Sequence, residues 1–306
     1  MTWEINIIKA LQTMSNSFFD AIFLGITKFG EEIAFIAVMV ILLWCYDKRF
    51  ALLMGLNFLA AALTVNILKN VIKRPRPFIG DNSLSIGEQT HGYSFPSGHT
   101  QTAASIYTTL AIHFGLRKKR IWFCVLMFLI IVLVGLSRMY LGQHYLTDVL
   151  IGFVIGTVVS VATYYIFSLI KDKEEYWALL IIPVAIVAMA IFHGEPAHKD
   201  FFVAGGVSIS VALGYFVEKK YIKYNVRQEL WWVQIIKVIF GAAIALLIKE
   251  GLKPLFDIWG VDLFLGTFIR YFLVGIWCSL GAMAVFKYGL GAIKNSINQK
   301  KQAANN

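Results

Sequence analysis

Stretches of apolar residues approaching twenty in length recur along almost the whole chain, and nothing else in the sequence narrows the possible folds as far. A hydrocarbon core offers no partner to a backbone N–H or C=O. A segment that crosses it must satisfy those groups internally as a helix or within a closed barrel. Barrel strands are short and alternate apolar with polar residues, whereas these stretches are continuous. The expectation is an all-α, polytopic transmembrane helical bundle of about nine spans, near residues 33–46, 51–68, 100–116, 121–136, 145–170, 176–192, 201–216, 231–248 and 263–286. With 58% hydrophobic and 15% charged residues, the chain lies far outside the composition of a soluble domain.

Residues 1–17 interleave Trp3, Ile5, Ile7, Ile8 and Leu11 with Glu4, Lys9, Gln12 and Asn16, the pattern of an N-terminal amphipathic helix lying in the interface. That mixture does not match a secretory cleavage signal. Residues 18–29 are too short to span with ease, and suit either a short first helix or a re-entrant piece.

The net charge of +10 would suit nucleic acid in a soluble protein, but in a membrane chain Lys and Arg mark cytoplasmic connections, so no nucleic-acid partner is expected. Threading the spans alternately brings three polar islands, within residues 69–99 and 137–148, to one face. The opposite face collects Lys48, Arg49, Arg117, Lys118, Lys119, Arg120, Lys171, Lys173, Lys219, Lys220, Lys223, Arg227, Lys287, Lys294, Lys300 and Lys301. The islands therefore face outward, toward the periplasm of a bacterial inner membrane, the cell exterior or an organelle lumen. Cys45, Cys124 and Cys278 are far apart and read as buried structural thiols.

The first island runs from Lys69 to Pro77 and contains Lys73, Arg74 and Arg76. A phosphate in a partly desolvated site needs cations and directed N–H groups, which Lys69, Arg76 and Arg138 are able to supply. Head-group anchoring explains Lys69, Lys73 and Arg74 equally well, but Pro75 and Pro77 stop the helix and hold an extended strut that directs Arg76. The second island, Pro96-Ser97-Gly98-His99, opens the next apolar stretch, so its N–H groups lie at a helix N-terminus that favours anions. Ser97 is either an ordinary N-cap or part of that site. An imidazole at the edge of hydrocarbon is costly without a partner, and His99 can protonate a leaving oxygen near neutral pH. In the third island, His144 and Asp148 are four apart at a helix start, on one face. The carboxylate can hold one ring N–H and leave the other nitrogen free to attack phosphorus, although a purely structural His–Asp pair is equally compatible with the spacing. The islands lack the clustered carboxylates of a two-metal phosphatase, which disfavours that mechanism.

Together these residues resemble the type 2 phosphatidic acid phosphatase superfamily, the lipid phosphate phosphatases that share a site with vanadium haloperoxidases. The family pattern is Lys, six residues, Arg-Pro; Pro-Ser-Gly-His; then Ser-Arg, five residues, His, three residues, Asp. Lys69, Arg76-Pro77, Pro96-Ser97-Gly98-His99, Ser137-Arg138, His144 and Asp148 match it at every fixed position. The resemblance implies that Lys69, Arg76, Ser97, Gly98 and Arg138 bind phosphate, that His144 is the nucleophile and forms a phosphohistidine that water hydrolyses, that Asp148 orients it, that His99 is the general acid, and that no metal or cofactor is needed. It covers roughly residues 18–170. The expected organisation is thus a lipid phosphatase core over 1–170, with additional spans of unknown role over 171–306.

Four other features invite a role. The loop 78–95, with Asp81, Asn82, Glu88, His91 and Tyr93, suits a lid or a solvated connection. His193 and His198, with Glu195 and Asp200 nearby, suit a surface turn better than a metal site. Arg270, inside a span, suits a lipid cavity, snorkelling, or pairing with Asp262 or Glu250. Trp231, Trp232, Trp259 and Trp277 read as interface or packing aromatics.

The expected function is hydrolysis of the terminal phosphate of a lipid phosphate or pyrophosphate at the outer leaflet, with undecaprenyl pyrophosphate, phosphatidylglycerol phosphate and phosphatidic acid as the candidates the resemblance suggests. Two alternatives are a lipid phosphotransferase using the same phosphohistidine and a polyprenyl-phosphate transporter or flippase.

Overall fold

A computed structural model describes residues 2–170, 172–193, 198–227 and 230–289, without the side chain of Asp200. Lys171, Glu195, Lys294, Lys300 and Lys301 lie outside the described residues. Every regular element among those described is a helix. Seven segments are long and apolar enough to cross a membrane: Lys48–Gly80, Ile121–Tyr140, Leu146–Leu169, Glu174–Ile191, Phe201–Ile222, Trp231–Ile258 and Leu263–Gly289. The pair Ser17–Gly30 and Glu32–Tyr46 meets the same test jointly but is bent by 53°. The short stretch near residues 18–29 is therefore one limb of a broken helix pair.

The chain divides into two compact units, Met1–Met39 with Phe50–Leu169 and Val40–Arg49 with Ile170–Asn306. Helices α1 (Thr2–Gln12), α2 (Ser17–Thr27), α3 (Glu32–Ile41), α4 (Lys48–Ile72), the single turn α5 (Pro77–Gly80), α6 (Gly98–Leu110), α7 (Ile121–Tyr140) and α8 (Leu146–Leu169) account for the first unit, with the end of α3 and the start of α4 in the second. Asn16 caps α2, its Oδ1 accepting from the Phe18 and Phe19 N–H groups, both at 3.0 Å.

The expected span near 100–116 forms a helix but is absent from the seven, because α6 carries Gln101, Thr102, Ser105 and Thr109 where its neighbours carry Leu, Ile and Val. All four are buried. Polar side chains between membrane helices are stable where they bond across the interface. Asn57 of α4 donates to Ser105 O, Thr109 Oγ1 and Ser160 Oγ at 3.1, 2.8 and 2.9 Å, tying α4, α6 and α8 together. Gly156 lets α8 approach α6 closely, since a Cβ there would stand 2.6 Å from both Ala104 Cβ and Gln101 O.

α1 lies against the end of this bundle. Ile8 is buried with Leu84 and Tyr145, and Gln12 Nε2 donates to Leu84 O and Tyr140 O at 2.7 and 2.8 Å. The helix thus covers part of the 78–95 loop as well as bearing an amphipathic pattern.

In the second unit, α9 (Glu174–Leu179), α10 (Ile181–Ile191), α11 (Lys199–Val217), α12 (Trp231–Ile258) and α13 (Leu263–Ile276) are joined by close α11–α13 packing, with Ser279 donating to Ser210 O at 3.3 Å. Lys48 pairs with the buried Glu218 at 2.7 Å, and Trp44 Nε1 donates to Cys278 O at 2.8 Å. The three cysteines are free thiols. His193 packs on Phe264 and His198 on Phe192. Among the described residues, no three His, Cys, Asp or Glu side chains are grouped to hold a metal ion. Arg270 lies over the Tyr271 ring. Neither expected partner is an ion pair for it: Asp262 caps α13, and Glu250 pairs with Lys249 at 3.0 Å.

The α6–α8 contact gives a direct test. Gly156→Ala places a methyl group against backbone and should cost about 1–3 kcal/mol, seen as a lower thermal midpoint in detergent. Gly251→Ala, whose Cβ would meet nothing within 4 Å, should leave the midpoint unchanged or raise it.

Candidate active site

The three islands converge at one end of the first unit, and a local backbone feature brings each one there. α4 stops where Lys73 adopts a left-handed conformation with φ 50°, so the following Arg74-Pro75-Arg76 leaves the helix axis. α6 starts at Ser97, whose hydroxyl accepts from the Thr100 N–H and bonds Thr100 Oγ1 at 2.9 Å. α7 ends in a turn that requires Gly142 at φ 68°, with Leu84 O so close that a Cβ would stand 1.9 Å from it. This turn returns the Gln143 and His144 N–H groups to Arg138 O, at 3.0 and 3.2 Å, and sets His144 beside the end of the helix bearing Arg138. The second and third islands meet directly, because the Ser97 N–H donates to the Asp148 carbonyl at 2.9 Å.

His144 is almost completely buried, and its two nitrogens have different surroundings. Nε2 lies 3.2 Å from Arg76 Nη1. A guanidinium only donates, so Nε2 presents its lone pair and the ring proton belongs on Nδ1. Nδ1 faces Ser94 Oγ at 3.4 Å and Asp148 Oδ2 at 3.6 Å. The spacing of the third island suggested a direct His144–Asp148 hydrogen bond; the structure places the Ser94 hydroxyl beside both groups, donating to Asp148 Oδ2 in a short contact. Burial first, and then the charges of Arg138, Arg76 and Lys69, hold the His144 imidazole well below its ordinary pKa. It is therefore neutral at physiological pH, with a lone pair on Nε2.

The fully buried Asp148 carboxylate also accepts from the Tyr145 N–H at 2.9 Å and from Arg74 Nη1 at 2.7 Å. Arg76 also donates to backbone, to His91 O, Gly92 O and Gln143 O at 2.8, 2.9 and 3.1 Å. Its guanidinium thus anchors the 78–95 loop over the third island. Arg138 is buried as well. Its Nη1 donates to Thr27 Oγ1 at 3.0 Å, while Nε and Nη2 are buried with no hydrogen-bond partner among the described residues. Two parallel guanidinium N–H groups in that state match two oxygens of one phosphate. A Cβ on Gly98 would lie 3.6 Å from Lys69 Nζ, so this ammonium sits at the α6 N-terminus. His99 is half-buried there, its ring within electrostatic reach of Arg138, His144, Lys69 and Arg76.

All eight residues expected to form a site are thus gathered around one buried histidine. Several neighbours escaped sequence reasoning. In the sequence Arg74 fits head-group anchoring as well as a site, Glu4 fits the polar face of an interfacial helix, and Ser94, Thr27 and Thr147 stand out for no role. None carries a local signal, since each reaches its partner only across the folded unit.

A neutral buried histidine beside a guanidinium with unpartnered donors, in a chain whose described residues are all-helical, is an arrangement suited to phosphoryl chemistry within a membrane. Family comparison agrees: residues 50–172 match the PAP2 superfamily, and residues 202–293 match the transmembrane extension of PAP2 superfamily phosphatases. The chain is 33% identical over 178 residues to phosphatidylglycerophosphatase B of Bacillus subtilis, covering 55% of this chain and 82% of the relative. It is 27% identical over 207 residues to the undecaprenyl-diphosphatase BcrC of the same organism, covering 66% of this chain and 100% of the relative. Among solved structures, a PAP2-type phosphatidylglycerolphosphate phosphatase from Bacillus subtilis aligns at 30% identity with a TM-score of 0.48, over 56% of this chain and 88% of that one. The chain belongs to the PAP2 superfamily of phosphatases and is an integral membrane protein.

Arg138→Gln should weaken inhibition by inorganic phosphate about 10- to 100-fold, the scale of a charge-assisted hydrogen bond, in a competition assay against any hydrolysed substrate. Its midpoint of unfolding should change little, because Arg138 makes one side-chain tie, to Thr27.

Proposed function

We propose that this phosphatase removes the terminal phosphate of a lipid phosphate or pyrophosphate through a phosphohistidine at His144, without a metal ion. The observation that carries the reading is the pairing of a neutral His144, its Nε2 lone pair fixed by Arg76, with the two unpartnered donors of Arg138. Lys69, Arg76, Arg138 and the α6 N-terminus at Ser97 and Gly98 hold the phosphate oxygens and offset the charge that builds in the transition state. Nε2 attacks phosphorus; the P–N bond forms as the P–O bond to the leaving group breaks. Burial and the neighbouring cations hold the His99 pKa down to about 2; bound phosphate offsets those cations, and the ring so protonated gives its proton to the leaving oxygen. Water then attacks the phosphohistidine and loses a proton to His99, the P–N electron pair returns to Nε2, and inorganic phosphate departs. Asp148 and Ser94 keep the Nδ1 proton in place throughout.

The names of the relatives support phosphatidylglycerol phosphate and undecaprenyl pyrophosphate as substrate candidates, with phosphatidic acid as a third. The distribution of Lys and Arg supports an outward-facing site in a plasma or bacterial inner membrane. Catalysis belongs to residues 1–170, with the later spans as an addition.

The test is phosphate release in detergent with EDTA from these three lipids and a soluble monoester. Wild-type protein should release phosphate with EDTA present, and His144→Ala should lose about 10³-fold or more. Activity in purified His144→Ala near that of the wild type would overturn the mechanism, and phosphate retained in a second lipid would identify a phosphotransferase instead.

A further inference from the structure

α1 reaches into the site through one carboxylate. Glu4 is buried, and its two oxygens are divided between two partners. Oε1 accepts from both the Thr147 N–H and the Thr147 hydroxyl, at 3.1 and 2.8 Å. Oε2 accepts from Arg74 Nη2 at 2.6 Å. The other terminal nitrogen of the same guanidinium, Nη1, donates to Asp148 Oδ1 at 2.7 Å and to Thr147 Oγ1 at 2.6 Å. Arg74 is thus a fork held between two carboxylates, one on α1 and one on α8. The Tyr145 ring lies against its open face, 3.9 Å from Cζ to the centroid. Glu4 also occupies the first turn of α8, where the Thr147 N–H has no partner within its own helix.

A buried ion pair is poor value as a clamp. Desolvation consumes most of its Coulombic gain, and apolar residues of similar volume would fasten an amphipathic helix at least as well. α1 already has such a fastening in Ile8, packed with Leu84 and Tyr145, and a second in Gln12. What the Glu4–Arg74 pair adds is direction. A guanidinium bound by Asp148 alone can pivot about that bond; one bound at both ends cannot, and Asp148 Oδ1 is then fixed in place. Asp148 Oδ2 is in turn the oxygen that meets Ser94 and faces His144 Nδ1.

We infer that Glu4 is a positioning residue of the phosphatase site, acting through Arg74 on Asp148 and thereby on the orientation and tautomer of His144. The inference rests on the function proposed above. It makes the N-terminal helix a component of the catalytic unit, with the loss of a distant carboxylate read out at the nucleophile.

A double-mutant cycle on the full-length protein in detergent tests it. Glu4→Gln keeps the size of the side chain and removes its charge. Because a positioned charge-assisted hydrogen bond is at stake, kcat should fall about 10- to 100-fold while KM stays within about twofold. Arg74→Gln, which also takes a donor from Asp148, should lose at least as much, and adding Glu4→Gln to it should cause no further loss. In an Asp148→Asn background, Glu4→Gln should have no further effect. Glu4→Asp should recover part of kcat. Gln12→Ala loosens the same helix without touching this chain of contacts, and should keep the wild-type kcat.

The same fold loss from Glu4→Gln in both the wild-type and the Asp148→Asn backgrounds would overturn the inference. So would a matching loss in Gln12→Ala, or a Glu4→Gln effect confined to the amount of folded protein. His144→Ala, run alongside, separates the two readings: full activity there sinks the phosphohistidine mechanism, whereas its expected inactivity leaves the Glu4 result to be judged alone.

Discussion

Asp148 is the constraint on which the rest of the site depends. A carboxylate removed from water is unstable unless its oxygens are saturated with donors, and at this position the donors come from three separate parts of the chain. Arg74 arrives from the end of α4, Ser94 from the loop before α6, and the Tyr145 N–H from the start of α8. Satisfying one buried charge therefore assembles all three islands. Ser97 meets the Asp148 backbone carbonyl, so even the main chain of that residue takes part. The histidine next to it receives a defined tautomer as a by-product.

The cations around His144 divide into two kinds. Arg74 and Arg76 each donate to several protein acceptors, so they act as architecture as well as charge. Arg138 is different, since it is anchored at one nitrogen and offers the others. Buried guanidinium donors left open are costly, and the phosphate-binding role proposed for Arg138 supplies a physical reason for keeping them. The neutrality of His144 comes first from its burial and then from these cations, which repel a proton.

Much of the fold was legible because membrane helices announce themselves by length and composition, and the spacing of Lys69, Arg76, Pro96-Ser97-Gly98-His99, Arg138, His144 and Asp148 carried the site. What remained hidden is what depends on tertiary contact. Glu4 lies 70 residues from Arg74 and 143 from Thr147, and its neighbours on α1 disguise it as one more polar residue on an amphipathic face. Arg74 was hidden by Lys69 and Lys73, which make a plausible head-group cluster with it. Ser94, in a polar loop, has no periodicity to reveal that it is fully buried. α6 was read as a span like its neighbours, although its polar residues set it apart. The same residues explain both its low apolarity and its place at the centre of the unit.

That polar helix has a consequence for how the protein is made. A segment rich in Gln, Thr and Ser partitions into lipid poorly by itself, because each hydroxyl and amide must give up water for a medium without partners. Asn57 and Ser160, which meet α6 near its middle, belong to helices that are synthesised before and after it. α6 therefore has its full set of partners only once α8 has emerged. The stability of α6 in the membrane thus depends on helices that lie on both sides of it in the sequence.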